Sequence, residues 1–268
     1  MSYGRRLGLV LLRRLCLCFA AVNLWITCAA AQAPDVPAVA AASDLKFALD
    51  EIAAAYAAAT RRQVKTVYGS SGNFYRQIEQ GAPFEIFMSA DEEFVFKLAA
   101  TGKAEDKGAL YATGRIVLFA PKGSALAVDA QMTGLKAALS AGRIQRFAIA
   151  NPEHAPYGRA AEQALRALGL WDSIRGRLVL GENVSQAAQF ASSGSAQGGI
   201  FAYSLALSLS VSQGGDYVLL PESLHKPLRQ RMVLVKGPGE NARAFYAFLQ
   251  QPAARAAFKR YGFVLPGE

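Results

Sequence analysis

From Pro37 onward, short apolar runs alternate with segments whose apolar residues recur three and four positions apart. This alternation is the strongest constraint on the fold, because strand, helix and strand in succession close as parallel βαβ units. The clearest helix places Leu45, Ala48, Leu49, Ile52, Ala53 and Tyr56 on one face, a spacing that winds into a single buried stripe. A first strand precedes it at 36–42, and further strands are predicted near 64–68, 84–88, 116–120, 147–150, 178–180, 199–203, 217–220 and 232–235. Helices are predicted from about 73, 92, 135, 158 and 184 between them. Two more close the chain, with apolar faces Ala242, Phe245, Tyr246, Leu249 and Ala254, Ala257, Phe258, Tyr261. The stretch 108–114 is assigned no element. The pattern restarts near Pro121, which divides the body into lobes: 34–117 opens lobe 1, 118–230 forms lobe 2, and 231–268 returns to lobe 1. Two lobes joined by two crossings leave a cleft, a common place for a ligand.

With 52% hydrophobic and 18% charged residues over 268 positions, the chain is apolar enough to build a substantial core and too apolar to be disordered. Of its formal charge of +9, +4 lies in the first 33 residues. Arg5, Arg6, Arg13 and Arg14 precede an apolar stretch at 15–28 and then Ala29, Ala30, Ala31, Gln32 and Ala33. That order of charged, apolar and small residues reads as a secretory signal over residues 1–33, so the body is expected in the periplasm. Without those four arginines, 25 basic residues face 20 acidic ones, which gives little support to nucleic-acid binding. Cys16, Cys18 and Cys28 all fall in the leader, which excludes a disulfide scaffold, a thiol nucleophile and a cysteine metal site from 34–268.

Four strand-to-helix turns share a composition rich in small polar residues: Ala42-Ser43-Asp44, Gly69-Ser70-Ser71-Gly72-Asn73, His154-Ala155-Pro156-Tyr157-Gly158 and Gly181-Glu182-Asn183-Val184-Ser185. Such turns lie at the carboxyl ends of strands, where ligands of open α/β sheets sit, and the first two offer hydroxyls and backbone N–H groups to an anion. Taken singly, each reads as readily as an ordinary cap: Ser43 or Asp44, and Ser71 or Asn73, could close a helix start. Tyr157 could be a core aromatic and Val184 a plain first-turn residue. Gly69 and Gly72 raise the second turn, since glycine lets backbone approach a ligand closely.

Enzymatic readings find less. The body holds two histidines, His154 and His225, and no Gly-x-Ser-x-Gly elbow, so a serine hydrolase would have to pair Ser71 with one of them. No Walker loop is present, because the Gly69–Gly72 turn lacks the phosphate-binding lysine. Asp91-Glu92-Glu93 reads as an acidic first helical turn, and His154 as a residue that shapes its loop. Basic clusters at Lys226, Arg229, Arg231 and at Arg255, Lys259, Arg260 read as solvated faces.

The segments Ala40-Ala41-Ala42-Ser43-Asp44-Leu45, Gly69-Ser70-Ser71-Gly72, Gln77-Ile78-Glu79-Gln80-Gly81-Ala82-Pro83, Phe87-Met88-Ser89-Ala90-Asp91, Asn151-Pro152-Glu153-His154-Ala155-Pro156-Tyr157-Gly158, Gly181-Glu182-Asn183-Val184 and Phe258-Lys259-Arg260-Tyr261-Gly262-Phe263 together resemble the periplasmic molybdate-binding proteins of ABC importers. The resemblance spans nearly all of the body. It implies an α/β, two-lobed type II periplasmic binding protein fold, each lobe a mainly parallel sheet flanked by helices, with the ligand cleft between lobes. It also implies a non-catalytic, monomeric protein without cofactor that captures molybdate or tungstate for an inner-membrane ABC permease. A metal would enter as the oxyanion and not as a bare cation, held by the hydroxyls of Ser43 and Ser71 and the backbone N–H groups of Tyr157 and Val184. Asp44, Ser70 and Tyr203 are peripheral candidates. Many relatives place a tyrosine hydroxyl where this chain has Ala202; Tyr203 stands one residue later, on the other face if the strand continues. Some relatives have asparagine at Asp44. A carboxylate would repel a dianion, so Asp44 is read as a cap turned toward backbone N–H groups; facing the cage, it would favour protonated or weakly charged ligands. The alternatives are another oxyanion or organic anion on the same scaffold, a sensor that reports to a receptor, and the secreted hydrolase.

Overall fold

The computed structural model describes residues 35–268. The leader, its cysteines and the signal reading lie outside the described residues. The first lobe begins with β1 (Ala38–Ala42), α1 (Lys46–Thr60), β2 (Lys65–Gly69), α2 (Ser71–Glu79), β3 (Ile86–Ser89), α3 (Glu92–Ala100) and β4 (Ala109–Gly114). The second holds β5 (Ile116–Pro121), α4 (Thr133–Ser140), β6 (Phe147–Ala150), α5 (Pro156–Ala167), α6 (Trp171–Ile174), β7 (Leu178–Gly181), α7 (Val184–Ser192), β8 (Gly199–Ala202), α8 (Tyr203–Ala206), α9 (Leu209–Ser212) and β9 (Gly215–Leu219). The chain then returns through β10 (Leu228–Leu234), α10 (Glu240–Phe248) and α11 (Pro252–Arg260).

Each lobe is built on a five-stranded sheet, ordered β2-β1-β3-β10-β4 in the first and β7-β6-β8-β5-β9 in the second. Four strands of each run in one direction, as the βαβ alternation requires, and the fifth, β10 or β5, runs against them. Those two strands are entered directly from the other lobe. With no helical crossover to carry the chain back, they start at the edge where the parallel strands end. β4 is a strand in a stretch to which the sequence pattern assigned no element: its half-polar composition acquires a ladder by pairing with β10. β10 itself begins before the apolar run at 232–235, because Leu228, Gln230 and Met232 point inward while Arg229 and Arg231 alternate with them.

Alternation along the strands divides the first lobe into two cores. Val39, Ala41, Ile86 and Met88 face one side, with Leu45, Leu49, Ile52 and Tyr56, while Ala40 and Phe87 face the other, with Phe74, Ile78, Val95 and Leu98. This period-two segregation is what a sheet covered on both faces needs. The Tyr56 ring lies edge-on to Phe245 and Phe248, at 5.0 and 5.3 Å between centroids, and its hydroxyl donates to Asn241 Oδ1 at 2.6 Å. The helix with the strongest sequence signal is thereby anchored to α10. In the second lobe Phe119, Phe147 and Phe201 are fully buried around β5, β6 and β8.

At the first crossing Arg115 alone separates β4 from β5. Its Nε and Nη2 donate to the Gly262 carbonyl at 3.1 and 2.8 Å, and its guanidinium lies 4.9 Å from the centre of the Tyr203 ring. Gly114, just before it, is hemmed in: a Cβ there would fall 2.1 Å from Tyr157 Oη and 2.8 Å from Gln230 Nε2. Gly114→Ala is therefore expected to lower the urea midpoint by an amount equivalent to about 1–3 kcal/mol, with an unchanged m-value, by forcing those side chains apart.

Candidate functional site

The parallel strands of both lobes end toward the same space, so four helix starts meet there. Ser43 opens the 3-10 turn after β1, Ser71 opens α2 after β2, Tyr157 is the second residue of α5, and Val184 opens α7 after β7. All four border one cavity, with Ser70 and Asp44 also in its wall. About 180 Å³ of empty space, open solvent included, lies within its bounds, and among the described residues no lysine or arginine lines it. Ser43, Asp44, Ser70, Ser71, Tyr157 and Val184 are buried. The first N–H groups of a helix have no acceptor within it, so the donors gathered here are neutral hydroxyls and amides pointing out of helix termini.

The hydroxyls differ in how they are held. Ser71 Oγ accepts the Ala90 N–H at 2.9 Å, which leaves its own proton to donate. Ser43 reaches across to the second lobe: its Oγ donates to Asn183 Oδ1 at 3.1 Å and accepts the Ser185 N–H at 3.2 Å, while Ser185 Oγ donates to the Ser43 carbonyl at 2.9 Å. An anion can take the Ser43 proton only if that hydroxyl turns from Asn183, exchanging one hydrogen bond for another. Ser70 caps α2, accepting the Asn73 N–H at 3.4 Å, and meets His154 Nδ1 at 2.9 Å. His154 thus ties the lobes together as well as shaping its loop, and burial keeps its imidazole below its ordinary pKa. The Gly72 N–H donates to the His154 carbonyl at 2.9 Å, and a Cβ on Gly72 would fall 2.8 Å from that oxygen. The close approach this glycine permits is between lobes.

Asp44 departs from the expectation of a cap. No cap bond from its side chain closes the first helical turn. Instead Oδ2 accepts from Tyr157 Oη at 2.9 Å and from Gln230 Nε2 at 2.6 Å; Gln230 Nε2 also donates to Tyr157 Oη at 3.0 Å, and Gln230 Oε1 accepts from Tyr111 Oη at 2.8 Å. Two side-chain donors from other elements thus take up Oδ2. Oδ1 is buried and has no hydrogen-bond partner among the described residues. Burial raises the carboxyl from its ordinary value to about 6, against the lowering effect of the Gln230 and Tyr157 donations. The Tyr157 hydroxyl is thus committed to Asp44, and what remains of Tyr157 for a ligand is its backbone N–H. Gln230 and Tyr111 went unmarked in the sequence, and Asn183 and Ser185 were marked only as members of the fourth polar turn. The one available signal was a glutamine at an inward position of an alternating strand.

Tyr203 does not border the cavity. β8 ends at Ala202, and Tyr203 starts α8, where its ring packs near Arg115 and Tyr217. Ser71 pairs with Ala90 and not with a histidine, and His225 Nδ1 lies 2.8 Å from the Lys226 carbonyl, so the triad that a hydrolase requires is not assembled. Asp91 caps α3, accepting the Phe94 N–H at 3.1 Å, and is ion-paired with Arg159. Among the described residues no three His, Cys, Asp or Glu side chains gather as a metal site, and no helix is long and apolar enough to cross a membrane.

Two lobes with mixed sheets, closing on a small cage of neutral donors, define a periplasmic-type binding protein. Residues 37–264 match the family model described as bacterial extracellular solute-binding protein, and the chain belongs to that family. It is a binding protein and not an enzyme. The chain is 36% identical over 217 residues to the molybdate-binding protein ModA of Rhodobacter capsulatus, covering 80% of this chain and 82% of that protein. It is 35% identical over 248 residues to the protein of the same name from Azotobacter vinelandii, covering 91% and 96%. The solved structure of the A. vinelandii periplasmic molybdate-binding protein superposes with a TM-score of 0.78 at 33% identity, over 86% of this chain and 99% of that one. The sulfate-binding protein SubI of Mycobacterium tuberculosis, 14% identical with a TM-score of 0.72 over 88% of each chain, shares the fold.

The buried carboxyl sets a pH dependence of stability. Between about pH 4 and 6 the unfolded chain releases the Asp44 proton while the folded protein keeps it, so stability falls as pH rises through that window, by at most about 3 kcal/mol. Asp44→Asn removes the titration. Its urea midpoint relative to the parent is expected to rise between pH 4 and pH 7 by the equivalent of about 2–3 kcal/mol.

Proposed function

We propose that the protein captures molybdate, and tungstate with it, outside the cytoplasm and hands it to an inner-membrane ABC permease. The observation that carries this reading is the convergence of four helix starts from two lobes on one cavity lined by hydroxyls and amides and, among the described residues, by no cationic side chain. Helix N-termini favour negative charge through their dipoles and unpaired N–H groups. Hydrogen bonds to a charged group contribute about 1.5–3 kcal/mol each, so a handful of neutral donors suffices to hold a dianion. The relatives named for molybdate binding cover most of the chain and support that choice of ligand.

In this reading Ser43 and Ser71 donate from the first lobe, and the N–H groups of Tyr157 and Val184 from the second. A ligand that bridges both lobes has higher affinity for the closed arrangement and so draws the equilibrium toward it. Molybdate, tungstate and sulfate share charge and tetrahedral shape, so donors of this kind discriminate by the size of the cage they enclose. The leader at residues 1–33 acts as the export signal, and the exported protein works as a monomer in the periplasm. A second reading rests on Asp44: a carboxyl group in the cavity wall would suit an anion that carries a proton, such as phosphate.

Calorimetric titration with molybdate, tungstate, sulfate and phosphate separates the two. The expected result is tight one-to-one binding of molybdate and tungstate, little heat with sulfate or phosphate, and an affinity loss of about 10- to 100-fold in Ser71→Ala. Tight phosphate binding with no molybdate binding would establish the second reading. Silence toward every oxyanion in folded protein would refute both.

A further inference from the structure

The Asp44 side chain is an anomaly in a cage for a dianion. Asp44 is buried and borders the cavity among neutral donors, and among the described residues no basic side chain lines that cavity to offset its charge. Oδ2 is saturated by Tyr157 Oη and Gln230 Nε2, and those two donors come from different lobes. Oδ1 is left without a hydrogen-bond partner among the described residues. A buried acceptor with no donor costs about 1–3 kcal/mol, and an ionised carboxylate against a dianion would add like-charge repulsion in a poorly screened space.

We propose that Asp44 binds the oxyanion as a carboxylic acid: one proton is taken up from solvent with each dianion and sits between Asp44 Oδ1 and an anion oxygen, making Asp44 a ligand-contacting, specificity-determining residue. The inference rests on the oxyanion-binding reading above. The balance is one carboxylate, one solvent proton and one dianion giving one carboxylic acid hydrogen-bonded to the dianion, with no bond broken in the ligand. The arrangement resolves each oddity together. The proton neutralises the buried charge and gives Oδ1 a partner. It leaves Oδ2 as the acceptor that Tyr157 and Gln230 require.

The surroundings favour a neutral acid. Tyr157 and Tyr111, from α5 and β4, face the carboxyl as phenols whose own ionisation burial suppresses. On α1 the nearest basic group, Lys46, is engaged with Asp50 and lies over the Tyr68 ring of β2. The other titratable group of β2 is the exposed Lys65. α7 carries no titratable side chain, and α8 brings Tyr203, stacked near Arg115. Arg159 of α5 is paired with Asp91, while Arg229 and Arg231, which flank Gln230 on β10, are paired with Glu92. None of these cations reaches Asp44, and burial has already brought its carboxyl to about 6. A dianion alongside raises it further. Another titratable group near the cavity is His154, on Ser70 and 3.6 Å from Glu182, its imidazole held below its ordinary value by burial.

The test is calorimetry with molybdate on the parent protein, Asp44→Asn and His154→Asn, each at several pH values and in two buffers of different ionisation enthalpy. Asparagine can keep the acceptor for Tyr157 and Gln230 and present an amide donor in place of the acid. For the parent, uptake of about one proton per anion is expected at pH 7.5, with affinity falling about tenfold per pH unit above about pH 6.5 and levelling off below it. Asp44→Asn is expected to bind with no proton uptake and a flat pH profile, and His154→Asn to retain the uptake. Tight binding by the parent without proton uptake overturns the inference and leaves the oxyanion reading intact, and so does uptake that persists in Asp44→Asn or vanishes in His154→Asn. If the asparagine variant does not fold, the parent and the His154 variant still decide. Loss of molybdate binding altogether in folded parent protein overturns the oxyanion reading, and the inference with it.

Discussion

In a parallel sheet every strand hands over to its helix at the same edge, and the geometry of this protein follows from that rule applied twice. Each lobe gathers its helix N-termini along one edge, and the two crossings, at Arg115 and before Leu228, bring those edges face to face. The strands that make the crossings run against their neighbours because they start where the others finish. A site built this way needs no lysine or arginine, since its positive potential comes from oriented peptide groups. It also needs no ordered loop beyond the turns that the fold already requires.

Face-to-face termini must still be held together, and here the lobes are joined by a few buried polar contacts. Ser43 meets Asn183 and Ser185, Ser70 meets His154, Gly72 meets the His154 carbonyl, and Asp44 meets Tyr157. Each consists of small groups whose hydrogen bonds are worth about 1 kcal/mol net. Together they can hold closure without making it irreversible, which suits a protein that must take up a ligand and later release it. Several of the residues that bridge the lobes are also the residues assigned to the ligand, so binding and closure share their hydrogen bonds. Ser43 shows this directly, since its proton serves either Asn183 or an anion.

Asp44 sits where these two demands conflict. Its carboxyl receives Tyr157 from one lobe and Gln230 from the other, and so contributes to closure as an acceptor. The same group borders the cavity, where an anion wants donors. A carboxylic acid meets both requirements with its two oxygens, and an asparagine would meet them without a proton. The difference between the two side chains is therefore a dependence on pH.

The fold class, the order of strands and helices, the two lobes and the four polar turns could be read from the chain itself. They depend on local periodicity and on residues adjacent in sequence, such as the stripe from Leu45 to Tyr56 or the glycine–serine turn at Gly69–Gly72. The sequence did not disclose β4, the early start of β10, the loss of Tyr203 to a helix start, or the true partner of Asp44. Each of these depends on a neighbour more than fifty residues away: β4 is a strand because β10 lies beside it, and Asp44 is no cap because Tyr157 and Gln230 reach it first. Local pattern fixes which residues stand at the mouth of each helix. Only tertiary packing decides which of their hydrogen-bonding groups are already spent on the protein and which remain for a ligand.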